Sequence, residues 1–273
     1  MKHLFITDLD GTFLTPQGTV SPKSAAIISS LSSRGMAITV ATARTPATVE
    51  PLLADTLTTI PAIVLTGAAL WDRSSQSYIA TSFFSLQLAI RAWQLCIDLG
   101  LRPFVYTLHD DNSTLHTFFC GTPDRVEQQF IDERTSRPLK KISVTDTPVT
   151  PDNRTLLLYA MGPEQAVTTA ANSLRQLGCA VSAYPDTYTP GIYLLEVFAP
   201  GVSKAAAVLH LRKMLHADHV TVFGDNLNDL PMMEVADTSV SVANAHPQVL
   251  QKADIVIGPN STDAVAGYLD SIQ

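Results

Sequence analysis

Apolar residues fall into short runs, and several of those runs stop at a polar group. Leu4 to Ile6 gives way to Thr7-Asp8-Leu9-Asp10-Gly11-Thr12, so a short buried strand breaks into two carboxylates and a Gly-Thr turn. Ser21-Pro22 reads as a helix start, with Ile27, Ile28 and Leu31 on one face and Gly35 as the stop. Ala37 to Ala41 is a second run, ending at Thr42-Ala43-Arg44, and Pro46 opens another helix. Ala62 to Leu65 repeats the pattern and ends at Thr66-Gly67-Ala68. Strands alternating with helices predict a parallel sheet with crossover helices, whose ligands lie beyond the carboxyl ends of the strands. Asp8, Asp10, Thr42 and Thr66 are therefore expected on one edge.

From about residue 83 the rhythm changes. A helix with Ala89, Trp93, Cys96 and Ile97 on one face leads to strands at 103–109 and 114–120, joined by the turn Asp110-Asp111-Asn112-Ser113. A polar helix around 123–135 and a loose Pro- and Thr-rich stretch, 137–154, come next. Strands at 156–161 and 180–184 then flank a helix that carries Val167, Ala170, Ala171 and Leu174 on one side. Helices against a mostly antiparallel sheet predict an inserted α+β unit, 83–190, with hinges near Thr81-Ser82 and Pro190-Gly191. Residues 1–82 and 191–273 form the doubly wound α/β core. Its second part holds a strand at 192–198, a helix at 203–216, and the run Val220 to Phe223 ending at Gly224-Asp225-Asn226-Leu227-Asn228-Asp229. Strands at 239–242 and 255–257 and two helices complete it.

The 273 residues allow two modest domains, and 46% hydrophobic against 16% charged residues gives each a core. A net charge of -7 offers no basic surface, which argues against nucleic acid or an anionic membrane as partner. No apolar run reaches membrane-spanning length, and no leader pattern opens the chain, so a cytoplasmic protein is expected, as a monomer or small homo-oligomer. Cys96, Cys120 and Cys179 have no ligand spacing, and the seven histidines form no HxH or HExxH pair.

Chemistry is read from the strand ends. Asp8 and Asp10, Thr42, Lys204, and Asp225 with Asn228 and Asp229 together offer carboxylates for a hard cation, one ammonium and neutral donors. Adjacent buried acids are costly without a cation, and magnesium typically bridges carboxylates to phosphate, so the inventory suits a phosphoryl group. A calcium loop is a poorer reading, because Thr19 stands at its twelfth position where a Glu is needed.

Asp8-Leu9-Asp10-Gly11-Thr12, the Thr42 strand end, Gly201-Val202-Ser203-Lys204 and Gly224-Asp225-Asn226-Leu227-Asn228-Asp229, in that order and with a large insert, resemble the haloacid dehalogenase-like hydrolases. The spacing is similar to the Cof-type sugar-phosphatase branch. The resemblance implies that Asp8 is the nucleophile, giving an aspartyl-phosphate, and that Asp10 is the general acid and base. It implies Mg2+ held by Asp8, the Asp10 carbonyl and Asp225. Asp229 would orient Lys204 or a metal-bound water, and Thr42, Lys204 and Asn228 would hold the phosphate. Ala43 stands where the family usually has Gly, and Thr66 where relatives often carry Asn.

The expected substrate is a small phosphorylated metabolite, sugar phosphates foremost, chosen by a cap that closes over the site and excludes water. Candidate selectors are Asp110 to Ser113 and the stretch Tyr184 to Tyr193, with Asp186 and Tyr188 in it. Glu196, on the strand read as returning to the core, is a polar contact near the site or a surface residue. The alternatives are a phosphatase for a cofactor or nucleotide ester such as pyridoxal phosphate or flavin mononucleotide, and a silent metabolite-binding protein. A receiver domain fits less well, since its acceptor would not follow the first strand and the chain would be about half as long.

Overall fold

The computed structural model describes residues 2–186 and 189–272. In chain order it begins with β1 (His3–Thr7), α1 (Pro22–Ser33), β2 (Ala37–Val40), α2 (Pro46–Leu52), β3 (Ala62–Val64), β4 (Ala69–Asp72) and β5 (Ser77–Thr81). There follow α3 (Leu86–Asp98), β6 (Phe104–Leu108), β7 (Leu115–Cys120), α4 (Arg125–Thr135), β8 (Lys140–Thr145), β9 (Thr155–Pro163), α5 (Glu164–Gln176), β10 (Ala180–Pro185) and β11 (Ile192–Phe198). The chain ends with α6 (Lys204–Leu215), β12 (His219–Gly224), α7 (Leu230–Val235), β13 (Thr238–Val242), α8 (Pro247–Lys252), β14 (Ile255–Ile257) and α9 (Ala264–Ser271). It divides into two compact units, 1–80 with 203–273, and 81–202. Among the described residues no helix is long and apolar enough to cross a membrane.

The first unit is built on a parallel sheet in the order β14-β13-β12-β1-β2, with β1 central between β12 and β2. Leu4 and Ile6 are fully buried, as a strand covered on both faces requires. Thr7 is level with Val40 and Phe223, so the residues that follow it, β2 and β12 emerge together. β3 continues the edge through a parallel bridge between Ala41 and Ile63, and then turns into β4 and β5, which the sequence does not announce. α1 starts where expected: the Ser21 hydroxyl accepts the Ser24 N–H at 3.0 Å and Pro22 occupies the first turn.

The second unit is a six-stranded sheet, β10-β11-β9-β6-β7-β8, antiparallel except for the β7–β8 pair. α5 packs on β9, β10 and β11 through Val167, Ala170, Ala171 and Leu174, as its periodicity predicts. Three readings are revised. The stretch read as loose contains β8, a polar strand whose pairing, not its hydrophobicity, makes it one. The buried stripe of α3 is Ala89, Ala92 and Cys96, while Ile97 is exposed, because this helix carries two apolar stripes and the smaller residues face the core. Ile192–Phe198, read as the return to the core, pairs with β9 and β10, so the first unit resumes at Ser203 rather than at residue 191.

The segment after β3 is the most strained part of the first unit. Leu65, Thr66 and Gly67 all have positive φ, at 52°, 57° and 95°. A Cβ on Gly67 would lie 2.3 Å from the Ser203 carbonyl oxygen, so only glycine fits there. Thr66 is β-branched in a left-handed conformation, and its hydroxyl is buried without a partner. Gly67→Ala is expected to destabilise the protein by about 2 kcal/mol or more. Thr66→Asn, tolerant of this backbone, should stabilise it by roughly 1 kcal/mol; denaturant titration of both variants measures the two effects.

Candidate active site

The backbone beyond β1 sets the geometry. The Asp8 N–H donates to the Phe223 carbonyl at 2.9 Å and the Ala41 N–H to the Thr7 carbonyl at 2.8 Å, which brings Asp8, Thr42 and Asp225 to neighbouring strand ends. Gly11, at φ 80°, lets the following turn approach Asp225: a Cβ there would lie 2.4 Å from its Oδ2. The Thr12 hydroxyl then donates to Asp225 Oδ1 at 2.7 Å.

Lys204, the first residue of α6, is 1% exposed, and Ser203 caps the helix by accepting the Ala206 N–H. Its Nζ donates to Asp8 Oδ1 at 2.5 Å and to Asp229 Oδ1 at 2.7 Å. Asp229 Oδ2 accepts the N–H groups of Asp225 and Asn226, at 3.0 and 3.1 Å. Both oxygens of Asp229 are thus occupied, which makes it an orienter of Lys204 and of the Asp225 loop. Among the described residues, Asp8 Oδ2 and Asp225 Oδ2 accept no hydrogen bond.

Ligand oxygens of Asp8, Asp225 and Asp229 all lie within 4.8 Å of one another. Three carboxylates therefore face one ammonium, a deficit of two positive charges in a buried space. Burial pushes the Asp8 carboxyl up to about 7; Lys204 opposes this, and Asp229 and Asp225 add to it. Burial likewise pushes Asp225 up to about 6, against the Thr12 hydrogen bond and with the repulsion of Asp229. Lys204 is held above its ordinary value, the two carboxylates outweighing the cost of burying it. A hard divalent cation would relieve this deficit, and an all-oxygen donor set suits magnesium better than a thiophilic metal. Asp8 and Asp225 have the oxygens to hold it.

The other expected residues divide. Thr42 is buried, and its hydroxyl accepts the Arg44 N–H at 3.1 Å. Asp10 stands apart from the three carboxylates: its side chain is 55% exposed, and Arg44 grips it through Nε to Oδ2 at 2.7 Å and Nη2 to Oδ1 at 2.6 Å. Asn228 is exposed on the turn Leu227–Asp229 and, among the described residues, makes no side-chain hydrogen bond. Sequence reasoning overlooked Asn244, whose side chain donates to the Gly11 carbonyl at 2.8 Å and accepts the Asn260 N–H at 2.8 Å, fixing the turn after β1 from the far side. Its only signal was an Asn just after an apolar strand.

In the second unit, Asp186 helps line a cavity of about 430 Å3 with Arg134 and Tyr159, whereas Tyr188 lies outside the described residues. Glu196 is buried on β11 of this unit. The turn at 110–113 is self-contained: Asp111 Oδ1 accepts the Ser113 and Thr114 N–H groups at 2.8 Å each, and Arg154 holds Asn112 at 2.6 Å.

Comparison with known proteins finds likeness along nearly the whole chain. The family model for haloacid dehalogenase-like hydrolases matches residues 5–269. Pyridoxal phosphate phosphatase YbhA of Escherichia coli is 25% identical over 97% of this chain and 96% of its own. The 5-amino-6-(5-phospho-D-ribitylamino)uracil phosphatase YcsE of Bacillus subtilis is 23% identical over 96% and 92%. A solved subclass IIB sugar phosphatase superposes with a TM-score of 0.73 at 16% identity, covering 100% of this chain and 99% of its own, and so shares the fold.

The raised carboxyls set a pH test. Between about 4 and about 6 the folded protein keeps a proton on Asp225 that the unfolded chain has lost, so this group makes stability fall as pH rises through that window. In EDTA, Asp225→Asn should gain stability relative to wild type as pH rises from about 4 to about 7, and magnesium should narrow the gap at the upper end. Thermal unfolding across pH, with and without the metal, checks both halves.

Proposed function

Because the chain belongs to the haloacid dehalogenase-like hydrolases, we propose that it is a magnesium-dependent phosphomonoester hydrolase acting on small phosphorylated metabolites, sugar phosphates foremost. The observation that carries this reading is the set of Asp8, Asp225 and Asp229, two of them buried and one half-buried, around one lysine at the strand ends. Asp8, its Oδ1 held by Lys204, is the nucleophile: a carboxylate oxygen forms a bond to phosphorus as the ester P–O bond breaks. Asp10 gives a proton to the departing oxygen, then takes one from the water that cleaves the aspartyl-phosphate. Lys204 keeps the nucleophile oriented and offsets charge as the phosphoryl group moves, while Asp229 fixes Lys204. Magnesium, held by Asp8, Asp225 and the Asp10 carbonyl, supplies further charge neutralisation when bound. Thr42 and Asn228 complete the phosphate site.

A second reading, hydrolysis of a cofactor ester, is favoured by the full-length likeness to a pyridoxal phosphate phosphatase.

Phosphate release from sugar phosphates, nucleotides, pyridoxal phosphate and flavin mononucleotide, with magnesium or EDTA, separates these readings. Wild type is expected to turn over at least one ester only with magnesium, and Asp8→Asn to lose about 1,000-fold or more of that rate, with the preferred ester deciding the class. No release from any ester would favour a binding protein. Activity retained in Asp8→Asn would remove the nucleophile assignment.

A further inference from the structure

Arg44 belongs to none of the roles above, yet it occupies the proposed acid and base completely. Its guanidinium forks onto both oxygens of Asp10, through Nε at 2.7 Å and Nη2 at 2.6 Å. In that state Asp10 is poorly placed for either of its tasks: both oxygens accept from the fork, so passing a proton in either direction would break one of its arms. The pair is also held outside the cluster, with Asp10 55% and Arg44 32% exposed while Lys204 and Asp229 are closed off from solvent. The arginine works from a fixed base. Its N–H donates to the Thr42 hydroxyl at 3.1 Å and its carbonyl accepts the Leu65 N–H at 3.0 Å, so its backbone is anchored on both sides.

A guanidinium fork that fits a carboxylate fits two phosphate oxygens equally well, and a phosphate monoester brings more negative charge than Asp10. We propose that Arg44 is a substrate-operated latch. In the ligand-free protein it parks Asp10; an arriving phosphate takes over the guanidinium, and the released carboxylate becomes able to exchange protons. Arg44 is thus a phosphate-binding residue and, through Asp10, a positioning residue that couples acid-base competence to occupancy of the site. This rests on the assignment of Asp10 as acid and base in a phosphatase.

The test compares wild type, Arg44→Gln and Arg44→Lys on an alkyl phosphate, whose leaving oxygen needs a proton, and on p-nitrophenyl phosphate, whose leaving group does not. Inhibition by inorganic phosphate is measured beside them, and thermal unfolding checks that each variant is folded. For Arg44→Gln, KM for both esters and the inhibition constant for phosphate should rise about tenfold or more, the loss expected for charge-assisted hydrogen bonds. Its kcat should fall by the same factor on both esters, because the lost guanidinium no longer offsets phosphoryl charge while Asp10 is already released in the occupied wild-type site. Arg44→Lys should recover part of the phosphate affinity as a point charge, since a lysine cannot fork. A kcat that falls further on the alkyl than on the aryl ester, whatever KM does, would mean that Arg44 holds Asp10 in its working pose and would overturn the latch. So would unchanged affinity for ester and phosphate. If wild type hydrolyses neither ester with magnesium present, the phosphatase reading has failed, and the latch falls with it for that separate reason.

Discussion

The first unit is organised around a shortage of positive charge. Ligand oxygens of Asp8, Asp225 and Asp229 are brought within 4.8 Å of one another, and among the described residues the buried cation paired with them is Lys204 alone. Such a group would be strongly unfavourable in an apolar interior, because each ionised carboxylate loses its hydration. The local structure answers in detail: two backbone N–H groups on Asp229, a hydroxyl on Asp225, a helix that starts at the lysine. What remains uncompensated is negative charge, with carboxylate oxygens that could hold a divalent ion. Stability has been held back where chemistry is to happen.

Much of this was legible in the sequence because it depends on where apolar runs stop. The carboxylates at the ends of β1 and β12 and the lysine heading α6 sit where the pattern places them. Glycines 11 and 224 also serve the site, since added side-chain atoms would collide with Asp225 and Asp229 respectively. What stayed hidden depends on partners rather than patterns. β8 is polar and becomes a strand only by pairing with β7, and β11 is as apolar as a core strand but completes the other sheet. The grip of Arg44 on Asp10 spans a separation of 34 residues and is set by side-chain reach, which no spacing encodes. Asn244 holds the turn after β1 across 233 residues for the same reason.

Roles within the motif also differ from what residue type alone suggests. Four aspartates look interchangeable as metal ligands, yet their surroundings separate them. Asp229 has both oxygens engaged, Asp225 and Asp8 have one each to offer, and Asp10 is claimed by an arginine. Hydrogen-bond accounting, rather than proximity, separates one acid with no oxygen to spare, two with one each, and one held by an arginine.

The topology also bears on how the protein is made. β1 lies between β2 and β12, so the strand that carries Asp8 cannot be fully paired until residues beyond 219 exist. The second unit, 81–202, is contiguous and can complete its own core while the end of the chain is still being synthesised. The first unit must wait with β1 exposed on one side, a long-range closure of the kind that slows folding. On a ribosome, the aspartate at the end of β1 would emerge long before the partner strand that sets it in place.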